Sequence, residues 1–303
     1  MAVKIPQDPT FDPYNPENLK SLDQWAKLAN SMEGSKRQFW NDDEIFEQIL
    51  KKHGGIKASR EQKEAIAGLM SVIYYGEIVA MHTSSQLVGM VPDLAAQFVA
   101  AFQTMEEAKH VTSLGKYLKA LDIPLPEINP NIRKLLDDVR NTADPAEKLV
   151  GMNLLVELSA HSIFQGLMAS FDEPVLKELL HYIDLDEVKH VALARNYAAE
   201  MLQRAGPLRR ARIMLKQFYW MSLAFRAQQD LFRQYKALRL DMNSHMKRNF
   251  EDMRKVYKDV PGSVQRIWMI KPPSKAWGDR IADWMFPPEG KPGQAATGAP
   301  AAS

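Results

Sequence analysis

Two Glu-x-x-His tetrads, Glu107-Ala108-Lys109-His110 and Glu187-Val188-Lys189-His190, each follow by thirty residues a single glutamate set in an apolar stretch, Glu77 and Glu157. In an α-helix, residues three apart share a face, so each tetrad aims one carboxylate and one imidazole at the same point. The single glutamates lie within Tyr74-Tyr75-Gly76-Glu77-Ile78-Val79-Ala80 and Met152-Asn153-Leu154-Leu155-Val156-Glu157-Leu158, segments whose pattern predicts burial. A buried carboxylate needs a partner. The chain must therefore bring four acid-bearing segments to one place or leave each acid stranded.

Four ionised carboxylates packed together repel, and some take up protons. Two divalent cations balance four negative charges while two neutral imidazoles complete the shells. Glu77, Glu107, His110, Glu157, Glu187 and His190 are thus the candidate metal ligands. With seven histidines in 303 residues, chance supplies about 0.4 Glu-x-x-His tetrads, so the weight rests on the repeated upstream spacing. A third tetrad, Glu178-Leu179-Leu180-His181, lacks it, since Lys148 stands thirty residues before Glu178. Glu178 also precedes Glu187 by nine residues, which at about 100° per residue puts it on the opposite helix face. Aligning 105–117 with 185–197 matches Glu107/Glu187, Lys109/Lys189, His110/His190, Val111/Val191 and Tyr117/Tyr197, with Glu106 opposite Asp186. The halves read as a duplicated helix pair offset by eighty residues.

Length and a 46% hydrophobic composition suffice for one large core. A net charge of +2, with no zinc-finger spacing and no long basic tail, speaks against a nucleic-acid partner. The absence of cysteine excludes disulfides, thiolate metal sites and protein-ligated iron–sulfur clusters from this chain, so electrons must come from outside. With no uncharged apolar run of roughly 18 residues, a cytoplasmic location is the expectation.

Residues 1–40 read as irregular, with four prolines, and a helix is expected from Asn41 or Asp42 to about Lys52, ending at Gly54-Gly55. Ser59-x-x-Gln62 resembles a capping box opening a helix through Glu77 towards Val88, and Val91-Pro92-Asp93 turns into a second that ends near Asp122. After a short amphipathic piece at 131–140, Asp144-Pro145 starts a third core helix running to about Ser170. Asp172-Glu173-Pro174 starts the fourth, ending near Gly206-Pro207. Four long helices with two short links and one long link make an all-α four-helix bundle. Further helices are expected at about 207–240 and 243–258. The chain divides into an N-terminal arm (1–58), the helical domain (59–258), a packing segment (259–286) and a Pro/Gly/Ala-rich tail (287–303) expected to be disordered.

The order Glu, Glu-x-x-His, Glu, Glu-x-x-His over about 59–205 resembles the ferritin-like superfamily of dinuclear carboxylate proteins, whose ligand plan is a general feature of such bundles. The long helices and the extra helical region after 205 look more like the ribonucleotide reductase small-subunit-like oxidases and oxygenases than like the shorter ferritins. The resemblance implies that Glu77, Glu107 and His110 hold one metal and Glu157, Glu187 and His190 the other, with Glu107 and Glu187 bridging. It implies also that Asp186 hydrogen-bonds the free N–H of the other half's histidine, with Glu106 in the mirrored place. Leu114 stands where tyrosyl-radical subunits carry their tyrosine, and the chain's last residues lack the terminal tyrosine and acidic docking segment of such subunits. Met152 stands where the ligand-binding oxidases carry a crosslinking tyrosine, and without cysteine there is no rubredoxin module of the rubrerythrin kind.

Two residues near the ligands are candidates for a catalytic part. His161, four after Glu157, either relays protons or becomes a seventh ligand, or is a core histidine bonded to a neighbouring helix. Tyr74, three before Glu77, either carries electrons or simply packs. Ile73, Met81, Gln103 and Leu114 on roughly the ligand face suit a hydrophobic substrate or a bundle core. The basic and aromatic stretches 208–220 and 268–284 suggest peripheral membrane or acyl-carrier contact, with a solvated helix face as the preferred reading.

The resemblance thus implies two iron ions, or one manganese and one iron, and O2 as co-substrate. O2 activation at the reduced cluster would oxidise a small, largely apolar organic molecule. An external electron donor, a reductase or a ferredoxin, is implied, and a homodimer is the assembly considered. The alternatives are a ferroxidase or iron-storage protein, a radical-generating subunit, and a bundle whose metals only stabilise it.

Overall fold

The computed structural model describes residues 11–18, 20, 26–258 and 275–285; these residues contain helices and no strand. In chain order the helices are α1 (Ala26–Arg37), α2 (Asp42–His53), α3 (Arg60–Met90), α4 (Leu94–Ala120), α5 (Pro130–Asn141), α6 (Pro145–Gly151), α7 (Glu157–Ser170), α8 (Pro174–Leu193), α9 (Ala199–Arg204), α10 (Pro207–Asp230), α11 (Phe232–Ala237), α12 (Met242–Lys258) and α13 (Lys275–Met285). Helices α3, α4, α6–α7 and α8–α9 form the bundle. The tail after 286 and Trp268 lie outside the described residues.

Local chemistry sets the helix ends. Asn41 accepts from the backbone N–H groups of Asp43 and Glu44 at the start of α2, and Gly54, at φ 68°, supplies the left-handed residue that closes it. Ser59 and Gln62 form the reciprocal capping box of α3. Asp144 caps α6 and Glu173 caps α8, each followed by a proline in the first turn, where its missing N–H costs nothing.

The aligned tyrosines lock the duplicated pair together. Tyr117, near the end of α4, donates to Glu173 at the start of α8 at 3.1 Å. Tyr197, beyond α8, donates to Asp93 at the start of α4 at 2.5 Å. Each phenol thus ties one helix's end to its antiparallel partner's beginning.

A polar layer divides the core. On one side Leu87, Ala96, Leu149, Met152, Leu193 and Leu202 belong to one apolar cluster; on the other Ile66, Met70, Leu114, Phe164, Leu176 and Leu180 belong to a second. Along α3 the change falls at Glu77, along α4 between Ala100 and Leu114, and along α8 between Ile183 and Val191. Burying each such aliphatic side chain contributes roughly 1.5–3 kcal/mol, so the two clusters hold the acids of the intervening layer in place.

Three expectations need correction. Residues 26–37, read as irregular, form α1, which packs on α4 and α8. The helices read as continuous over 145–170 and 174–206 are each interrupted by a π turn, at Met152–Val156 and Ala194–Ala198. Each inserts one residue and so rotates the following turn. At the first, the Glu157 N–H bonds Met152 O, and just beyond it Ser159 Oγ donates to Leu155 O at 2.6 Å. At the second, Asn196 donates to Ala192 O.

Gly151 allows a close helix contact. A Cβ at Gly151 would stand 2.7 Å from Val139 Cγ2 and 2.9 Å from the Trp220 ring, which is itself pinned by an Nε1 hydrogen bond to Asp138 at 2.6 Å. Gly151→Val is expected to destabilise the fold in the upper part of the ~1–3 kcal/mol range for overpacking, measured by urea denaturation.

Candidate metal centre

The six sequence-predicted ligands converge in the polar layer and all are buried. His110 Nδ1 lies 3.2 Å from Glu77 Oε2, 3.4 Å from Glu107 Oε2 and 3.3 Å from Glu187 Oε1. His190 Nδ1 lies 3.1 Å from Glu107 Oε1, 3.6 Å from Glu187 Oε2 and 3.9 Å from Glu157 Oε2. Glu107 and Glu187 therefore each turn one oxygen to each histidine, the disposition a bridging carboxylate needs. Two groups can each hold an ion: Glu77, Glu107, His110 and Glu187, and Glu107, Glu157 and His190.

Behind each imidazole stands an acid from the other half. His110 Nε2 faces Asp186 Oδ2 at 3.2 Å, and His190 Nε2 faces Glu106 Oε2 at 2.9 Å. A carboxylate there holds the ring's N–H outward and presents the Nδ1 lone pair to the interior. Two lysines complete this outer layer. Lys189 Nζ bonds Glu106 Oε1 at 2.6 Å and Asp186 Oδ1 at 2.7 Å, while Lys109 Nζ bonds Asp186 Oδ2 at 3.2 Å. Trp40 Nε1 also donates to Asp186, at 2.9 Å, and its ring stacks near His110 and under the Lys109 ammonium.

Charge bookkeeping follows from these pairs. Lys109 and Lys189 neutralise Asp186 and Glu106, leaving the four inner carboxylates only the two imidazoles for counter-charge. Burial, with Glu107 and Glu187 alongside, pushes the Glu77 carboxyl well above its ordinary range. Burial likewise raises Glu157. Burial opposes charge on Glu107 as well, but His190 and His110 outweigh it and hold that carboxyl well below the usual range. Both imidazoles are raised despite burial, by the surrounding carboxylates. Four acids thus compete for two imidazolium charges. Glu107 Oε2, Glu157 Oε2, both Glu187 oxygens and His190 Nδ1 have no hydrogen-bond partner. Buried orphan acceptors of this number are costly, and a donor set of four carboxylates and two imidazoles suits borderline-hard divalent metals.

Two further side chains position the ligands: Gln103, which the sequence placed on roughly the ligand face, and Asn153, which it did not single out. Gln103 Nε2 donates to Glu157 Oε1 at 2.6 Å and to Glu107 Oε1 at 3.3 Å. Asn153, in the first π turn, orients Gln103 by donating to its Oε1 at 2.9 Å and reaches His190 O at 3.2 Å. The lysine match in the aligned tetrads was the signal for Lys109 and Lys189.

Other expectations are placed elsewhere. His161 Nδ1 bonds Asp184 Oδ1 at 2.5 Å, which raises the imidazole against the effect of burial, and it belongs to neither ligating group. This bond to α8 is the one expected of a core histidine tied to a neighbouring helix. Tyr74 packs over Gly115 and edge-on to Tyr75, with no hydrogen bond to a ligand carboxylate. Glu178 of the rejected tetrad pairs with Lys52 and His53. In the basic stretch of α10, Arg209, Arg212 and Lys216 are engaged with Asp144, Glu147 and Asp138, which leaves little free charge for a membrane surface.

No family model matches the chain, and no curated protein does. Solved structures do resemble it. A phenol hydroxylase from Pseudomonas sp. OX1 superposes with TM-score 0.55 at 16% identity, over 86% of this chain and 54% of that one. An R2-like ligand-binding oxidase with an aerobically reconstituted metal cofactor gives TM-score 0.53 at 15% identity, over 91% and 96%. A variant of that oxidase with a Mn/Fe cofactor gives TM-score 0.50 at 17%, over 91% and 96%. The chain has the fold of the ferritin-like dinuclear metal proteins.

Proposed function

We propose that this chain is an O2-activating oxidase or monooxygenase with two metal ions, iron at both positions or one manganese and one iron, acting on a small apolar organic molecule. The observation that carries the reading is a pocket of about 770 Å³, counted with its mouth, that opens onto Glu77, Glu157 and Glu187. Its enclosed part is about 80 Å³, room for several water-sized groups. Apart from those ligands its walls carry no charged side chain; Ile73, Ala80, Leu136, Leu155, Ile163 and Leu231 are among them. Walls with Ser159 and Gln228 as their polar side chains and no charge beyond the ligands suit an organic guest better than hydrated iron, which favours oxygenation over iron storage.

Glu77, Glu107, His110, Glu157, Glu187 and His190 would hold the two ions, which when reduced supply the electrons and coordination sites for O2. The chain's own residues shape the rest. Gln103 holds Glu157 and Glu107 by hydrogen bonds, Asp186 and Glu106 hold the imidazoles, and the apolar walls exclude water and bring a substrate against the Glu77–Glu157–Glu187 face. The two positions are unequal, because Asp186 accepts, besides His110, from Trp40 and both lysines, while Glu106 accepts, besides His190, from Lys189; this asymmetry keeps the mixed-metal pair in view. The phenol hydroxylase and oxidase likenesses agree with such chemistry. Reducing equivalents would come from a separate reductase or ferredoxin, and a cytoplasmic setting fits.

The test is O2 uptake by reduced, metal-loaded protein with a panel of small apolar compounds. At Gly76, which lines the pocket, a Cβ would meet nothing within 4 Å, so Gly76→Leu should fill the cavity without displacing a neighbour. Unchanged metal content with at least tenfold less substrate-dependent turnover is expected. Unchanged turnover would place the substrate elsewhere.

A further inference from the structure

A second cavity, about 540 Å³ with its mouth, lies between α7, α11 and the first turns of α12. Its walls are polar where those of the metal pocket are apolar, and Ile163 contributes to both. The metal centre makes no use of it.

Three buried polar atoms on its lining have no partner: Tyr235 Oη, His245 Nε2 and Arg248 Nε. Tyr235 and His245 are only 3% and 2% exposed, with ring centroids 5.6 Å apart. The other ring nitrogen of His245 donates to the Ser162 carbonyl, so Nε2 is left as an acceptor. Burial and the neighbouring Arg248 hold that imidazole down to about 4, so it is neutral near pH 7. Among the described residues no carboxylate pairs with Arg248. The one acid on the lining, Asp241, is occupied at the start of α12, accepting from Asn243 N at 3.0 Å and Ser244 Oγ at 2.5 Å.

The surrounding backbone makes room for the guanidinium. A Cβ at Gly166 would stand 2.7 Å from an Arg248 terminal nitrogen. A second cation, Arg239, sits at the rim with φ 55°, a conformation uncommon outside glycine and asparagine. Two guanidiniums against one capping carboxylate leave the cavity with one net positive charge. An unpaired phenol and guanidinium supply donors, and an unpaired imidazole nitrogen supplies an acceptor.

We infer that this cavity binds a small oxyanion that also carries a hydroxyl group, with Arg248 and Tyr235 donating to the anion and His245 Nε2 accepting from the hydroxyl. Hydrogen phosphate and a 2-hydroxycarboxylate share that pattern. Bidentate capacity makes Arg suited to either.

Isothermal titration of the full-length chain with inorganic phosphate, glycolate and acetate separates the sources. Saturable one-to-one binding of phosphate or of glycolate is expected, and acetate, lacking the hydroxyl, should bind at least about threefold more weakly than glycolate. Arg248→Gln should weaken binding by about tenfold or more, as charge-assisted hydrogen bonds are lost. Tyr235→Phe, which keeps the packing, should weaken it severalfold. Gly166→Ala, favourable for helix α7 by propensity, should weaken it by displacing the guanidinium while the unfolding midpoint does not fall. No saturable heat with phosphate or glycolate up to about tenfold above millimolar, or equal affinity in well-folded Tyr235→Phe and Arg248→Gln, would show that the cavity holds water only.

Discussion

Glu107→Ala is expected to reduce bound metal from two ions per chain to less than one, the largest functional loss of any single substitution in the centre. Glu107 belongs to both ligating groups and turns one oxygen to each histidine. Its removal takes a donor from both positions at once and leaves three inner carboxylates with too little charge to hold two cations. Glu157→Ala, which belongs to one group alone, should leave about one ion per chain. The contrast between the two variants, by elemental analysis of gel-filtered protein, separates a shared ligand from a terminal one. Equal loss in both would mean that Glu107 does not bridge. Asp186→Asn, which keeps the shape behind His110 but removes its charge, should weaken metal binding by roughly 10–100-fold without changing the stoichiometry at saturation.

Lys189→Met should destabilise the protein by about 3–5 kcal/mol, the usual cost of removing one partner from a buried ion pair. The Lys189 ammonium joins Glu106 and Asp186 at 2.6 and 2.7 Å, and all three side chains are nearly inaccessible. Without it two buried acids share only Lys109, which reaches Asp186 alone. The loss should appear in urea unfolding of metal-free protein. Adding Glu106→Gln should recover part of it, because the stranded charge is then gone; strictly additive effects of the two substitutions would argue against a coupled pair. An exposed ion pair such as Lys36–Glu33, with both side chains half exposed, should contribute little by the same test, since water screens it.

Much of this arrangement is legible in the residues themselves. Glu77, Glu107, His110, Glu157, Glu187 and His190 could be found because periodicity, burial pattern and an eighty-residue repeat converge on them, and each constrains the same helix faces. The caps at Asn41, Ser59, Asp144 and Glu173 are equally local, since the side chain that ends the helix sits beside the backbone it satisfies. Trp40 could not be found this way. Its partner Asp186 is 146 residues away, and nothing near Trp40 distinguishes it from a surface aromatic. α1 was obscured by a stretch in which small and charged residues blur the apolar stripe. His161 keeps its expected place one turn after Glu157 in α7, but which of its readings applies depends on a partner far along the chain: Asp184, on α8, takes the ring's Nδ1.

The polar cavity at Arg248 was invisible for a related reason. Tyr235, His245 and Arg248 carry no motif, and their common feature, an unmet hydrogen-bond demand, exists only once α7, α11 and α12 are assembled around them. The same criterion applied to the metal centre picks out Glu107, Glu157, Glu187 and His190, where the motif and the unmet demand agree.

The most direct measurement is the metal-to-chain ratio after anaerobic reconstitution with ferrous iron and removal of loosely bound ions. Two ions per chain in the native protein is the predicted result. A ratio below one, or a ratio of two that survives in Glu107→Ala, would contradict a dinuclear centre built on these six residues.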